Sequence, residues 1–122
     1  MKLLVIFCAV VAMAVADEKY PTTNDNFDIE ALAASKPDLE AFTECFIQDT
    51  NCNRISSDFK KDLAEAVREA CAKCTDAQKH ILKRYLEALQ KEVPEKFEEF
   101  KKKYDPEGTL FEPLKAAIGL RK

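Results

Sequence analysis

Four cysteines in the frame Cys45-x6-Cys52-x18-Cys71-x2-Cys74 constrain this chain more than any other feature. A fifth, Cys8, sits in an unbroken apolar run from Leu3 to Ala16. That run follows the positive Lys2 and closes on Ala14-Val15-Ala16, the small-x-small pattern of a cleavage site. Residues 1–16 therefore read as a secretory signal peptide, and 17–122 as the mature chain. The 14 residues of the run Leu3–Ala16 fall short of the roughly 20 needed to span a bilayer, so no membrane anchor is expected. Removing the leader leaves an even set of four cysteines in a small secreted, extracellular domain, the signature of a disulfide framework. Three connectivities are possible, and the spacing favours two local loops, Cys45–Cys52 and Cys71–Cys74. Loop entropy gives these ~2.5 and ~1.9 kcal/mol before strain.

Charge and composition exclude several function classes. Without Lys2, 18 basic residues face 22 acidic ones, a net charge of about −4. Nothing here makes a phosphate-binding surface, so no nucleic acid partner is expected. The mature chain is long enough for one small core and too short for two domains. It holds only two glycines, Gly108 and Gly119, so a glycine-rich phosphate loop is absent. Its single histidine, His80, falls on a polar helix flank with no nucleophile or carboxylate motif near it. The Cys71-x2-Cys74 pair lacks the βαβ setting of a redox motif, and the first pair's spacing does not suit zinc. No enzyme activity, cofactor or metal is expected.

The pattern is all-α. Asp28 can cap a short first helix carrying Ile29 and Leu32. Ser35-Lys36-Pro37 starts a second, with Leu39, Phe42 and Phe46 on one face. The third shows the cleanest stripe: Ile55, Phe59, Leu63, Val67 and Ala70, opposite a face of Lys60, Lys61, Asp62, Glu65, Arg68 and Glu69. Thr75 and Gln78 fit a capping box ahead of a fourth helix with Ile81, Leu82, Tyr85, Leu86, Leu89 and Val93. Pro94 should end it and can open a fifth, with Phe97, Phe100 and Tyr104. A turn over 104–108 leads to a last helix from about Leu110, where Pro113 either sits in the first turn or breaks it. Residues 17–27 read as polar and irregular.

Seven phenylalanines and three tyrosines, with no tryptophan, are many for a mature chain of this size. Each can simply fill a core. As a set, on short helices that meet at angles, they can instead wall a cavity for an apolar ligand.

The chain resembles the arthropod chemosensory protein family, also called OS-D or A10. The resemblance rests on the four-cysteine frame with Tyr20, Asp25-Asn26, Cys71-Ala-Lys-Cys-Thr-Asp-Ala-Gln78, Arg84-Tyr-Leu86 and Lys103-Tyr-Asp-Pro-Glu-Gly108. It implies about six short amphipathic helices around an internal hydrophobic channel, with disulfides joining neighbouring cysteines. It also implies a secreted carrier of small apolar ligands: fatty acids, alcohols, esters and semiochemicals; a monomer is the default expectation, since the sequence gives no sign of an oligomer. Phe42 stands where a channel-gating aromatic is often Tyr, Phe97 where Trp is common, and Leu110 where an aromatic is common. Asn24 replaces a frequent Tyr. These departures imply a mouth with fewer polar anchors. The candidate ligand contacts are Phe42, Phe46, Phe59, Leu63, Val67, Gln78, Leu82, Tyr85, Phe97 and Leu110, with Gln78 as the polar contact. The competing reading is an extracellular interaction protein with a packed core, acting through its surface in development, immunity or reproduction.

Overall fold

Local side-chain signals set where each helix begins. The computed structural model describes residues 18–120, which form six α-helices with no strand among the described residues. The expected signal peptide, residues 1–16, lies outside the described residues. Asp28 caps α1 (Ile29–Ala33), its carboxylate accepting from the Ala31 amide at 3.1 Å. Ser35 caps α2 (Lys36–Gln48), and Pro37 occupies the first turn, where a missing N–H leaves nothing unpaired. Asn53 and Ser56 bond reciprocally at the start of α3 (Arg54–Arg68). Thr75 and Gln78 form the expected capping box of α4 (Asp76–Glu92). Pro94 ends that helix and opens α5 (Pro94–Tyr104).

The last helix, α6 (Phe111–Ile118), is started from a distance. Its N-cap residue Leu110 makes no side-chain bond. Instead the Asp105 carboxylate accepts from the amides of Thr109, Leu110 and Phe111 at 3.0, 3.1 and 2.9 Å. Burial alone would raise the Asp105 pKa, but the amides of Phe111, Leu110, Thr109 and Gly108 outweigh it and hold the carboxyl below its ordinary value. Pro113 lies inside the first turn of α6 and does not break it. Gly119 closes the helix at φ 75°, a left-handed position that glycine takes without strain.

Both disulfides join neighbours. Cys45–Cys52 closes the turn from α2 to α3, with Cα atoms 4.8 Å apart. Asp49 and Asn51 take left-handed backbone there, which Asp and Asn tolerate better than other side chains. Cys71–Cys74 closes the turn from α3 to α4, with Cα atoms 5.0 Å apart.

The packing places α4 at the centre, against α1, α2, α5 and α6. α3 leans on α2, α5 and α6 instead. The Arg84 guanidinium clamps α1 to α4 by donating to both Glu30 carboxylate oxygens at 2.7 and 2.9 Å. The half of the core under α5 and α6 is filled: Phe100, Leu86, Leu89 and Leu114 have no exposed surface. Phe100 meets Phe46, Tyr85, Tyr104 and Phe111 there at ring-centroid distances of 4.9–6.5 Å. Tyr104 ties this half to α2 by donating to the Phe46 carbonyl at 2.6 Å. Burial, helped by the charge of Asp49, pushes the Tyr104 phenol up to about 12.

Candidate functional site

The other half of the core is hollow. Between α1, α2, α3 and α4 lies a cavity in which about 80 Å³ is open to the centre of a water molecule. Each helix supplies its apolar face. α1 contributes Ile29 and Leu32, and α2 contributes Phe42 and Phe46. Phe59, Leu63 and Ala66 come from α3, and Ile81, Leu82 and Tyr85 from α4. The α3 residues follow the i, i+4, i+7 spacing of one helix face. The Tyr85 hydroxyl does not reach into this space for a partner; it bonds the buried Thr43 hydroxyl, which itself donates to the Leu39 carbonyl at 2.8 Å. The wall is therefore apolar even where a tyrosine forms it.

The segment 20–27 closes the cavity on one side. Phe27 stacks on Phe42 at 5.6 Å and meets Phe59 edge-on at 5.8 Å. Tyr20 also lines the cavity and anchors the segment's start. Its hydroxyl donates to Glu65 at 2.8 Å, and its amide donates to the Lys73 carbonyl at 2.9 Å. Burial and then the bond to Glu65 raise the Tyr20 pKa, while that same bond, with Lys73 at 3.6 Å, lowers the Glu65 carboxyl. Asn24 donates to Asp58 at 3.2 Å. Asp25 accepts from the Thr75 hydroxyl at 3.1 Å and from Gln78 at 3.2 Å.

A second, more polar recess of about 160 Å³ adjoins the first. Asn24, Asp58 and Lys61 line it. Phe59, Asp62 and Gln78 line both spaces and so form the neck between them. Among the described residues no cluster of three His, Cys, Asp or Glu side chains could hold a metal ion. His80 is exposed on α4.

The model of the insect pheromone-binding family A10/OS-D matches residues 20–112. The chain belongs to that family. The family is one of binding proteins rather than enzymes. The chain is 31% identical over 117 residues to Allergen Tha p 1 of Thaumetopoea pityocampa, covering 94% of this chain and 93% of that protein. It is 24% identical over 104 residues to Ejaculatory bulb-specific protein 3 of Drosophila melanogaster, covering 85% and 82%. It is also similar to a chemosensory protein solved in complex with bromo-dodecanol, at TM-score 0.72 and 30% identity, over 80% of this chain and 98% of that one. The six-helix OS-D architecture and its two local disulfides are thus those of this chain.

Of the ten contacts expected from the sequence, seven surround the OS-D cavity: Phe42, Phe46, Phe59, Leu63, Gln78, Leu82 and Tyr85. Three do not. Val67 is enclosed in the core one turn beyond Leu63. Phe97 packs edge-on against Phe111 at 6.0 Å, in the filled half. Leu110 is half-buried at the N-cap of α6. Gln78 also has another task than the one expected. It gives its amide hydrogens to the Pro21 carbonyl at 2.8 Å and to Asp25, and its Oε1 accepts from the Thr75 amide. It holds the covering segment rather than offering a free polar group. Tyr20, Phe27 and Asp62 were not among the expected contacts. The mouth is also more polar than the lost aromatic hydroxyls imply, because Asp58, Lys61 and Asp62 stand around it.

Proposed function

We propose that this protein is a secreted, monomeric carrier that holds one long-chain apolar molecule in the cavity between α1 and α4. The observation that carries this reading is an apolar, aromatic-walled cavity covered on one side, among the described residues, by the hydrogen-bonded segment 20–27. Such walls with a few polar groups at the neck are the make-up of small-molecule sites. The bromo-dodecanol complex of the similar chemosensory protein supports the same reading. The residues proposed to touch the ligand are Phe42, Phe46, Phe59, Leu63, Leu82 and Tyr85. The ligand classes are alcohols, esters, fatty acids and related semiochemicals. The leader 1–16 accounts for secretion of a chain that begins at Asp17, and among the described residues no helix is long and apolar enough to cross a membrane.

Burial supplies the affinity. Each methylene taken from water contributes about 0.8 kcal/mol, so ~10 methylenes give ~8 kcal/mol before association and ordering costs. A micromolar dissociation constant needs about 8 kcal/mol net, so contacts with the aromatic wall and a bond at the polar end must offset those costs for binding to reach that scale. The tail lies in the inner cavity and the polar end at the neck, where the outer recess gives it room. The test is a displacement titration on the oxidised chain 17–122. A fluorescent apolar probe would be competed with alcohols from octanol to octadecanol. Saturable one-to-one binding that strengthens with chain length to an optimum is expected. No saturable probe binding by a helical sample without free thiols would defeat the carrier reading.

A further inference from the structure

The polar groups around the neck differ in what they have left to offer. Gln78 spends its amide on Pro21, Asp25 and Thr75. The Tyr20 hydroxyl is given to Glu65, and the Asn24 amide to Asp58. Lys61 pairs with Asp58 at 3.6 Å, and its side chain is 75% exposed, so water and Asp58 already satisfy it. Asp62 is the exception. It lines both the inner cavity and the outer recess, is half-buried, and makes no hydrogen bond or ion pair among the described residues. Burial, followed by the nearby Glu65 charge, raises its carboxyl pKa, and Lys61 offsets this in part.

We infer that the ligand's polar end is a hydrogen-bond donor, an alcohol hydroxyl or an ammonium, received by the Asp62 carboxylate at the neck, and that this carboxylate disfavours fatty-acid anions. An ionised carboxylate only accepts, so it can complete an O–H or N–H donor and nothing else. A ligand carboxylate in the same neck would bring a second negative charge to a partly dewatered site that already holds Asp62, with Glu65 close by. Charge-assisted bonds of this kind are the stronger ones, and they act on the head group alone, leaving chain-length preference to the inner wall. The inference rests on the carrier reading and narrows its ligand class.

The experiment holds the alkyl chain fixed and varies the head. Dodecanol, dodecylammonium, dodecanoate and the neutral ester dodecyl acetate would compete for the fluorescent probe at about pH 8, above the ordinary carboxylate range. Dodecanol and dodecylammonium should bind at least about tenfold tighter than dodecanoate, a difference of ~1.4 kcal/mol. Asp62→Asn keeps size and an acceptor oxygen while removing the charge. It should bring dodecanoate to within about threefold of dodecanol and weaken dodecylammonium. Dodecanoate binding as tightly as dodecanol to the unmodified chain would overturn the inference, whatever the variant does. So would an unchanged ranking in Asp62→Asn. If dodecyl acetate binds and only the head-group ranking fails, the carrier reading stands without this refinement. If no ligand binds, both fall.

Discussion

Replacing Leu63 by Trp asks directly whether the hollow half of the core is free space. Leu63 sits on α3 with 6% of its surface exposed and faces the 80 Å³ cavity. A void in a core costs about 24 cal/mol per Å³, so filling all of this one would return at most ~1.9 kcal/mol. An indole leaves gaps, so the stability change of Leu63→Trp should lie between zero and that ceiling. Urea unfolding should show an unchanged or higher midpoint with an unchanged slope. Binding of an apolar ligand should weaken by about tenfold or more, because the tail loses its space. A side chain already in full contact behaves the other way, since overpacking costs ~1–3 kcal/mol. A stability loss of that size refutes the claim that Leu63 faces free space. Binding unchanged in a stable variant refutes the placement of the ligand.

Three further outcomes follow from the same structure. Tyr85→Phe should cost ~0.5–1.5 kcal/mol in urea unfolding, because Thr43 keeps its bond to the Leu39 carbonyl; Thr43→Val should cost more, since it strands the buried Tyr85 hydroxyl. Replacing Cys45 and Cys52 together by serine should cost ~2.5 kcal/mol, the entropy of the loop they close, with the α-helical circular dichroism retained. The chain's three tyrosines, Tyr20, Tyr85 and Tyr104, all have raised pKa values, burial being the largest cause, so tyrosinate absorbance should stay low in the folded protein beyond the ordinary range near ~10. The unfolded chain ionises first, so their contribution is full below that value and is lost as pH rises toward the folded value of about 12 at Tyr104. A normal phenol titration in the folded state would contradict their burial.

The elements that local chemistry specifies were readable in the sequence. The caps at Asp28 and Thr75, the Pro94 junction and the Gly119 stop all depend on side chains within four residues of the backbone they serve. The division of the core into a filled and a hollow half does not. Phe59 and Phe97 occupy equally apolar positions on amphipathic helices, and only the way α3 leans away from α4 decides that one lines space and the other meets Phe111. Residues 17–27 read as polar and irregular because the bonds of 20–27 go to α3 and α4, to partners 34–57 residues away. The sequence places Asp62 among the charged residues of the polar face of α3. Its spacing of three from Phe59 and four from Ala66 was the available signal that it shares their side. Asp105 likewise caps α6 across a turn whose path the sequence alone does not specify.

The claim that an apolar chain lies among α1, α2, α3 and α4 is tested most directly by where a ligand's protons are close to the protein's. With dodecanol bound to the oxidised chain, nuclear Overhauser contacts should join its methylenes to the methyl groups of Leu63, Ile81 and Leu82 and to the Phe42 ring. Its hydroxymethyl group should contact Phe59 at the neck. Contacts to exposed side chains of α5 instead, or to no core methyl group at all, would contradict the account.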